Sequence, residues 1–299
     1  MTRKAVFIGL GNMGFPMASN LLETFGSLGV YNRSQKNGLA LVEKGATMFL
    51  DVKSVAQYAD LVFLCLPGPL EVAEIVDGPE GLLSNGSEGQ IILDFSTVSP
   101  ALSKELSRKA TQKKITYIDL PVSGGGLGAQ KRELSLMIGA TKAEVEELNL
   151  LPYLLCVGKT FHYMGERGKG SAIKIINNYM AFATQILNGE AIAMADRLDI
   201  PLESFYDVVT TSSGNNLILS AKKQKVLSGD LSASFTVDLS MKDLELARQL
   251  CQDGKMTNFS LNQAIQFYRL AQQLGYGQKD TASVIHVIRD LGKRTSLPD

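Results

Sequence analysis

The residue best suited to proton transfer in this sequence is Lys174, which stands four residues before Asn178 in the stretch GKGSAIKIINNYM. Residues i and i+4 share one face of an α-helix, and i+3 lies close beside them. If the stretch is helical, Lys174, Asn177 and Asn178 present an amine and two carboxamides together. Burial or a nearby positive charge would lower the pKa of the lysine from ~10.4 toward neutrality. Such a cluster is suited to hold an oxygen atom and to move its proton.

The chain has two histidines, His162 and His286. We predict that His162 lies in a strand and His286 on a late helix, each as an ordinary packing or surface residue. This disfavours a dehydrogenase that relies on an imidazole as its proton carrier, and Lys174 remains the leading proton donor.

A glycine-rich turn, GLGNMG at Gly9–Gly14, follows the apolar run AVFI. In a strand–turn–helix unit the first glycine permits the tight turn, the second lets the backbone approach a pyrophosphate, and the third allows close packing of helix on strand. The following helix points its unpaired N–H groups at the phosphates. The pattern predicts dinucleotide binding, the alternative being a glycine turn that only packs. The predicted contacts are Gly9, Leu10, Gly11, Asn12, Met13 and Gly14.

The end of the next strand predicts which dinucleotide is bound. An NAD-selecting fold usually has Asp or Glu about 20 residues after the glycines, where it accepts from the ribose 2′-OH. This chain has Asn32, Arg33 and Ser34 there and no nearby acid. A guanidinium and a hydroxyl suit a 2′-phosphate, so NADP is preferred over NAD. The alternative is that Arg33 lies over the adenine in solvent.

A second glycine run, DLPVSGGGLGA, follows the apolar run ITYIDL. Ser123 with Gly124 and Gly125 would present a hydroxyl beside a concave row of backbone N–H groups, and such nests bind carboxylates. The alternative is a flexible glycine loop. Ligands of α/β sheets bind at the edge where the strands end, which favours a substrate site.

These groups need elements to position them, and the first half of the chain alternates short β-rich runs with amphipathic ones. The predicted strands are KAVFIG, LGVYN, ATMFL, DLVFLCL, QIILDFS and ITYIDL, with helices at PMASNLLETF, LEVAEIV and ALSKELSRKATQ. This alternation predicts right-handed βαβ units and a doubly wound parallel sheet of the Rossmann type. We expect ELSLMIGA and TFHYM to extend the same sheet.

The second half has helical periodicity throughout. The predicted helices are KGSAIKIINNYMAFATQILNGEAIAMADRL, ESFYDVVTTSS, NNLILSAKKQKVL, SMKDLELARQLCQD, SLNQAIQFYRLAQQLG and DTASVIHVIRDLG. The sequence therefore predicts an NADP-binding α/β domain over residues 1–164 and an all-α domain for substrate binding and oligomerisation over 165–299. The first of these helices is apolar over much of its circumference, which suggests burial on several sides, one of which could face another subunit.

Composition narrows the class of protein. The formal net charge is zero and no basic stripe is present, which argues against nucleic acid or an anionic membrane as partner. The three cysteines match neither a disulfide framework nor a metal-ligand spacing, so we expect reduced thiols and no metal site. No run approaches the ~20 apolar residues needed to cross a bilayer. We expect a cytoplasmic protein.

The motifs together resemble the β-hydroxyacid dehydrogenase family, which includes 3-hydroxyisobutyrate dehydrogenases and semialdehyde reductases. The resemblance covers nearly the whole chain and is carried by GLGNMGFPMASNL, CLPGP, DFSTVSP, DLPVSGG, GKGSAIKIINN and MKDLELA. It implies reversible hydride transfer between NADP(H) and a short β-hydroxy acid or semialdehyde. The candidates are the 3-hydroxyisobutyrate, tartronate semialdehyde, glyoxylate and succinic semialdehyde classes.

The resemblance also implies roles for particular residues. Lys174 would be the proton donor or acceptor, and Asn178 would orient the substrate. Ser123, Gly124 and Gly125 would hold the substrate carboxylate. The remaining cofactor contacts would be Leu66, Pro67, Thr97 and Lys242, the last closing over the nicotinamide, while Asp243 would anchor its helix.

Three points stay open. After SGG the family commonly continues toward Gly-Thr-Leu, whereas this chain has Arg132-Glu133-Leu134, so the substrate is not fixed. The chain is expected to form a homodimer or homotetramer. The alternatives for its function are a catalytically silent NADP-binding scaffold and a family member that prefers NAD.

Overall fold

The computed structural model describes residues 3–293 and divides the chain into two compact units, Met1–Lys174 and Ile175–Asp299. The first unit contains a six-stranded, fully parallel sheet in the order β3-β2-β1-β4-β5-β6. Its strands are β1 (Ala5–Ile8), β2 (Gly29–Tyr31), β3 (Thr47–Met48), β4 (Leu61–Leu64), β5 (Ile91–Asp94) and β6 (Thr116–Asp119). This is the doubly wound order of dinucleotide-binding folds, and it confirms the predicted strands and fold class.

Helices cover both faces of this sheet. They are α1 (Gly14–Phe25), α2 (Gln35–Val42), α3 (Val52–Tyr58), α4 (Pro69–Asp77), α5 (Leu82–Asn85) and α6 (Pro100–Gln112). Side chains of β4 alternate between two separate cores: Leu61 and Phe63 belong to one, Val62 and Leu64 to the other. Burial on both faces explains why the central strands are continuous apolar runs. The predicted helices α1, α4 and α6 are confirmed.

The two late strands do not extend this sheet, so that prediction is wrong. A separate three-stranded sheet is formed by β7 (Val122–Ser123), β8 (Leu134–Ile138) and β9 (Gly158–Tyr163), in which β7 and β8 are antiparallel and β8 and β9 parallel. Two backbone hydrogen bonds attach β8 to the end of β6 and to the turn after it. The Gly139 N–H donates to the Asp119 carbonyl oxygen, and the Met137 N–H donates to the Pro121 carbonyl oxygen. The three helices of this region are α7 (Gly125–Gln130), α8 (Lys142–Glu147) and α9 (Leu151–Leu154).

The second unit is helical. Its elements are the main part of α10 (Lys169–Arg197), then α11 (Leu202–Val209), α12 (Leu217–Ser228), α13 (Val237–Asp253), α14 (Phe259–Gln273) and α15 (Ser283–Lys293). All six were predicted and are confirmed. Phe182 stacks on Phe235 and lies against the buried Tyr268 in its core. Among residues 3–293, no helix is long and apolar enough to cross a membrane.

The division between the compact units falls within α10, after Lys174. The functional boundary that the sequence predicts lies ahead of this helix, between residues 164 and 165. The assignment of cofactor binding to residues 1–164, and of substrate binding and oligomerisation to 165–299, stays a prediction.

Candidate active site

The glycine turn after β1 has the space that a pyrophosphate needs. Gly9 has a φ of 95°, and a Cβ there would lie 2.2 Å from the carbonyl oxygen of Cys65. A Cβ on Gly14 would lie 1.8 Å from the carbonyl oxygen of Gly9, so α1 packs here with no room for a side chain. A Cβ on Gly11 would meet nothing within 4 Å. Crowding at the first and third glycines with open space at the second fits a bound dinucleotide.

The start of α1 can also receive an anion. Asn12 is exposed, Met13 gives no side-chain cap, and the first turn has no acidic residue. The first N–H groups of a helix lack partners within the helix and carry its positive dipole end. The predicted cofactor turn therefore has the donors that a phosphate requires.

Asn32 fastens this turn to the end of β2. Its side-chain oxygen accepts from the Leu10 N–H at 2.9 Å, and its amide nitrogen donates to the Ser34 carbonyl at 2.7 Å. Arg33 and Ser34 are exposed and stand directly before α2, whose first turn has no acidic residue and no side-chain cap. A guanidinium, a hydroxyl and a helix N-terminus thus meet beside the predicted cofactor turn.

The loops after β4 and β5 lie side by side at the carboxyl edge of the sheet. The Leu66 N–H donates to Ser96 Oγ at 2.9 Å, and the Ser96 N–H donates to Asp94 Oδ1 at 2.9 Å. Pro67 is exposed and Thr97 is half-buried beside these bonds. The predicted cofactor contacts Leu66, Pro67 and Thr97 therefore share one edge.

The predicted carboxylate loop is the start of a short helix. Ser123 ends β7, Gly124 has a φ of 133°, and Gly125 begins α7. A Cβ on Gly126 would lie 3.4 Å from the Asn12 carbonyl oxygen, which brings this segment to the cofactor turn.

Lys174 is half-buried on α10, whose first turn is held by a buried carboxylate. Asp119 accepts from the N–H groups of Gly168 and Ser171, each at 2.8 Å. A Cβ on Gly170 would lie 2.4 Å from the Met137 carbonyl oxygen, so only glycine allows this close approach to β8. The GKGS sequence ahead of Lys174 is thereby explained by packing.

Asn178, one turn after Lys174 on α10, is buried and bonded to α13. Its amide nitrogen donates to Asp243 Oδ2 at 2.6 Å, and its oxygen accepts from Asn177 at 3.3 Å. Lys242 Nζ lies 2.8 Å from Asp243 Oδ1. Asp243 thus fixes the carboxamide, whose nitrogen carries a second N–H.

His162 lies in β9, with Nε2 3.1 Å from Ser135 Oγ, and His286 lies on α15. Both are in the elements that the sequence predicts for them. Among the described residues no group of three or more His, Cys, Asp and Glu side chains is placed to hold a metal ion.

Sequence reasoning missed a buried polar set beneath the site. Burial raises the pKa of Asp94 to about 6, against the lowering effect of hydrogen bonds from Ser96 and Tyr117. Tyr117 donates to Asp94 Oδ2 at 2.6 Å. The signal was present in DFS and IDL, where two apolar strands each end in a carboxylate.

Comparison with known proteins agrees with this architecture. Residues 4–165 match the NAD binding domain of 6-phosphogluconate dehydrogenase, and residues 168–288 match the NAD-binding domain of NADP-dependent 3-hydroxyisobutyrate dehydrogenase. The 2-(hydroxymethyl)glutarate dehydrogenase of Eubacterium barkeri is 34% identical over 285 residues, covering 95% of this chain and 94% of that protein. The 3-sulfolactaldehyde reductase of Escherichia coli (strain K12) is 31% identical over 95% of both. The solved structure of Psf3 in complex with NADP+ and 2-OPP has a TM-score of 0.87 and 29% identity, covering 95% of this chain and 99% of that one.

The chain belongs to the β-hydroxyacid dehydrogenase family. It is an NAD(P)-dependent oxidoreductase that transfers a hydride between a nicotinamide cofactor and a short hydroxy acid. This resolves the alternative of a catalytically silent scaffold in favour of an enzyme.

Proposed function

We propose that this dehydrogenase uses NADP(H) and acts reversibly on a short β-hydroxy acid or the corresponding semialdehyde. The observation that carries the cofactor preference is the pairing of Arg33 and Ser34 at the uncapped start of α2. A 2′-phosphate there would receive charged and neutral donors together with the helix dipole. A carboxylate, which would accept from the 2′-OH of NAD, is missing from this stretch until Glu43.

The neighbours support the same choice. One matching family model is that of an NADP-dependent 3-hydroxyisobutyrate dehydrogenase, and the Psf3 structure is a complex with NADP+. The names of the two relatives given above state that they act on 2-(hydroxymethyl)glutarate and 3-sulfolactaldehyde, small molecules with an anionic group. We infer a substrate of the same kind for this chain.

A nicotinamide cofactor bound in the proposed site would supply or accept the hydride at the carbon that bears the substrate oxygen. Lys174 protonates the developing alkoxide in reduction and removes the proton in oxidation. Its positive charge also stabilises the oxyanion before proton transfer is complete. Asn178, held by Asp243, donates its second amide N–H to the same oxygen. Such a proton donor typically contributes ~10²–10⁴-fold in rate.

The substrate carboxylate is proposed to bind at Ser123, Gly124 and Gly125, next to the turn at Asn12. The residues of the Arg132-Glu133-Leu134 segment, which departs from the family pattern, make contacts within the first unit. Arg132 pairs with Glu23, Glu133 pairs with Lys159, and Leu134 is buried. Arg132 and Glu133 are therefore engaged in ion pairs within the first unit and are not proposed to touch the substrate.

The experiment that tests the function is a kinetic panel of short hydroxy acids and semialdehydes, each run with NADP(H) and NAD(H) and followed by absorbance at the reduced nicotinamide band. We expect kcat/KM to be higher with NADP(H) for every substrate that turns over. A panel in which only carbonyl compounds without an acidic group react would contradict the proposed carboxylate site.

We also propose that the protein is a homodimer or homotetramer that assembles through α10. Four large apolar side chains of this helix, 43% to 67% exposed, fall within about 40° of one another around its axis at 3.6 residues per turn: Ile176, Met180, Leu187 and Met194. A contiguous apolar stripe marks an interaction surface, and a second copy presents a matching one. Leu187→Glu should shift the mass measured by light scattering toward the monomer, while Glu190→Gln on the same helix should not.

A cytoplasmic location is proposed on the evidence of the thiols. Cys65, Cys156 and Cys251, which all lie in the described part of the chain, form no disulfide. Reduced thiols are typical of cytosolic proteins. Localisation of a tagged full-length protein tests this.

A further inference from the structure

A chain of hydrogen bonds links the loop after β4 to the end of β5 beneath it. The Leu66 N–H donates to Ser96 Oγ at 2.9 Å. Ser96 in turn bonds to Asp94 through its N–H, at 2.9 Å, and through its hydroxyl. Ser96 is 3% exposed and Asp94 is fully buried. The position of Leu66 therefore depends on a carboxyl group that no solvent reaches.

The same series of hydrogen bonds continues from Asp94 to the first turn of α10. The Tyr117 hydroxyl donates to Asp94 Oδ2 at 2.6 Å and is also hydrogen-bonded to Ser103. Ser103 Oγ lies 2.9 Å from Ser171 Oγ. Because an ionised carboxylate only accepts, Tyr117 must donate to it, and the two serine hydroxyls then donate in sequence toward Tyr117. Ser171 stands three residues before Lys174 on α10.

The ionised form of Asp94 is the form that completes this chain. It accepts from the Ser96 N–H, the Ser96 hydroxyl and the Tyr117 hydroxyl at once. When the carboxyl is protonated, one of its oxygens carries an O–H group, which is itself a donor. That O–H group then competes for space with one of the three donors. The titratable groups that act on it are Tyr117 and its cross-strand neighbour Asp119, both on β6.

We propose that Asp94 is a positioning residue whose ionised carboxylate holds the loop at Leu66 in the form that binds the cofactor. The donors that reach it through Tyr117 keep it ionised at neutral pH. This inference rests on the proposed placement of the cofactor against Leu66 and Thr97. Asp94 itself touches neither the cofactor nor the substrate in this role.

A pH dependence of cofactor affinity follows. Burial raises the pKa of Asp94 to about 6, so affinity should fall as the pH is lowered through that value. Tyr117→Phe keeps the ring but removes a donor to the charged form, so it should move the midpoint of this fall upward by about one pH unit. Asp94→Asn has no proton to gain and should flatten the dependence.

The test is calorimetric titration of the full-length protein with NAD+ between pH 5 and 8. NAD+ is the probe because the 2′-phosphate of NADP+ itself titrates near pH ~6. Tyr153→Phe is the matched control. Tyr153 is a buried tyrosine of the same unit that stacks on Phe25 and takes no part in the series of hydrogen bonds from Leu66 to Ser171. Hydrogen exchange at the Leu66 N–H of the cofactor-free protein, corrected for the intrinsic pH dependence of exchange, gives a second readout.

The proposal predicts that affinity and Leu66 protection fall with one midpoint, that Tyr117→Phe raises it, and that Tyr153→Phe leaves it in place. An unmoved midpoint in Tyr117→Phe, or the wild-type pH dependence in Asp94→Asn, overturns it. Asp94→Asn decides alone if Tyr117→Phe does not fold. Protection at Leu66 that follows pH while affinity does not overturns the link to the cofactor.

The proposed proton transfer by Lys174 is tested by an experiment that is independent of these measurements. Turnover retained by Lys174→Ala removes the proposed proton donor, whereas the binding and exchange measurements do not involve that proton.

Discussion

Replacing Arg33 should change which nicotinamide cofactor the enzyme prefers. Arg33 is exposed in the loop after β2 and is followed by Ser34 and then by the start of α2, which has no side-chain cap. A hydrogen bond to a charged group contributes ~1.5–3 kcal/mol, and exposure places this one at the low end of that range. At about 1.4 kcal/mol for each factor of ten, Arg33→Ala should weaken NADP+ binding about 10–30-fold. NAD+ has no 2′-phosphate, so its Kd should change less than about twofold.

A second substitution at this position should reverse the preference between the two cofactors. Arg33→Asp adds a carboxylate that repels the 2′-phosphate and can accept from the 2′-OH of NAD. We expect NADP+ to bind more weakly than in Arg33→Ala and NAD+ to bind more tightly than in the wild type. The loss of NADP+ affinity in Arg33→Ala should shrink as salt is added, because exposed charges are screened within about 10 Å at 0.1 M.

The assay is the Kd of each cofactor by calorimetry, at two salt concentrations. Arg108→Ala on α6 is the control, since it removes an exposed arginine away from the loop after β2. Equal weakening of NADP+ and NAD+ by Arg33→Ala would refute the reasoning, because it would place Arg33 against a part shared by both cofactors.

Two further predictions concern other parts of the chain. Gly11→Ala should leave the melting temperature within about 2 °C of wild type yet raise the cofactor Kd, because a Cβ on Gly11 meets no atom of the protein. Gly14→Ala should cost about 3 kcal/mol of stability, because a Cβ on Gly14 meets the Gly9 carbonyl. Equal melting temperatures of the two variants in denaturation scans would contradict this. Burial raises the pKa of Asp280, but hydrogen bonds from Lys222, Ala282 N–H and Ser234 outweigh it and lower the pKa to about 2. The stability that this carboxylate contributes is therefore complete above its unfolded pKa of 3.8 and is lost as the pH falls toward about 2. Lys222→Met should reduce the free energy of unfolding at pH 7 by about 2 kcal/mol, measured in urea, and an unchanged midpoint would contradict the role of the pair.

The sheet and the second unit could be predicted because their signals are local. Val62 and Leu64 face one core and Leu61 and Phe63 the other, so β4 is apolar at every position and its class is unambiguous. In the second unit, α13, α14 and α15 carry amphipathic patterns of 11 to 17 residues. By contrast α2 buries only Gly38 and Leu41, and a helix with so little apolar surface leaves no clear period in the sequence.

Pairings between distant segments could not be predicted in the same way. The strand β8 resembles one more strand of the first sheet, and only its pairings with β7 and β9 show that it belongs to a second sheet. The links from Asp94 to Tyr117 and from Ser103 to Ser171 span 23 and 68 residues, so no local motif contains both partners. The glycine turn, by contrast, carries its own chemistry in six consecutive residues, and its crowded first and third positions follow the predicted pattern.

The proton transfer assigned to Lys174 is tested most directly by single-turnover reduction of a substrate from the panel by Lys174→Ala, with reduced cofactor and substrate saturating. We expect the rate of hydride transfer to fall at least about 100-fold, the low end for loss of a proton donor, while the cofactor Kd stays within about twofold. Lys169→Ala, which removes a lysine of the same helix that pairs with Glu166, should react at the wild-type rate. A Lys174→Ala enzyme that keeps more than about a tenth of that rate would contradict the account.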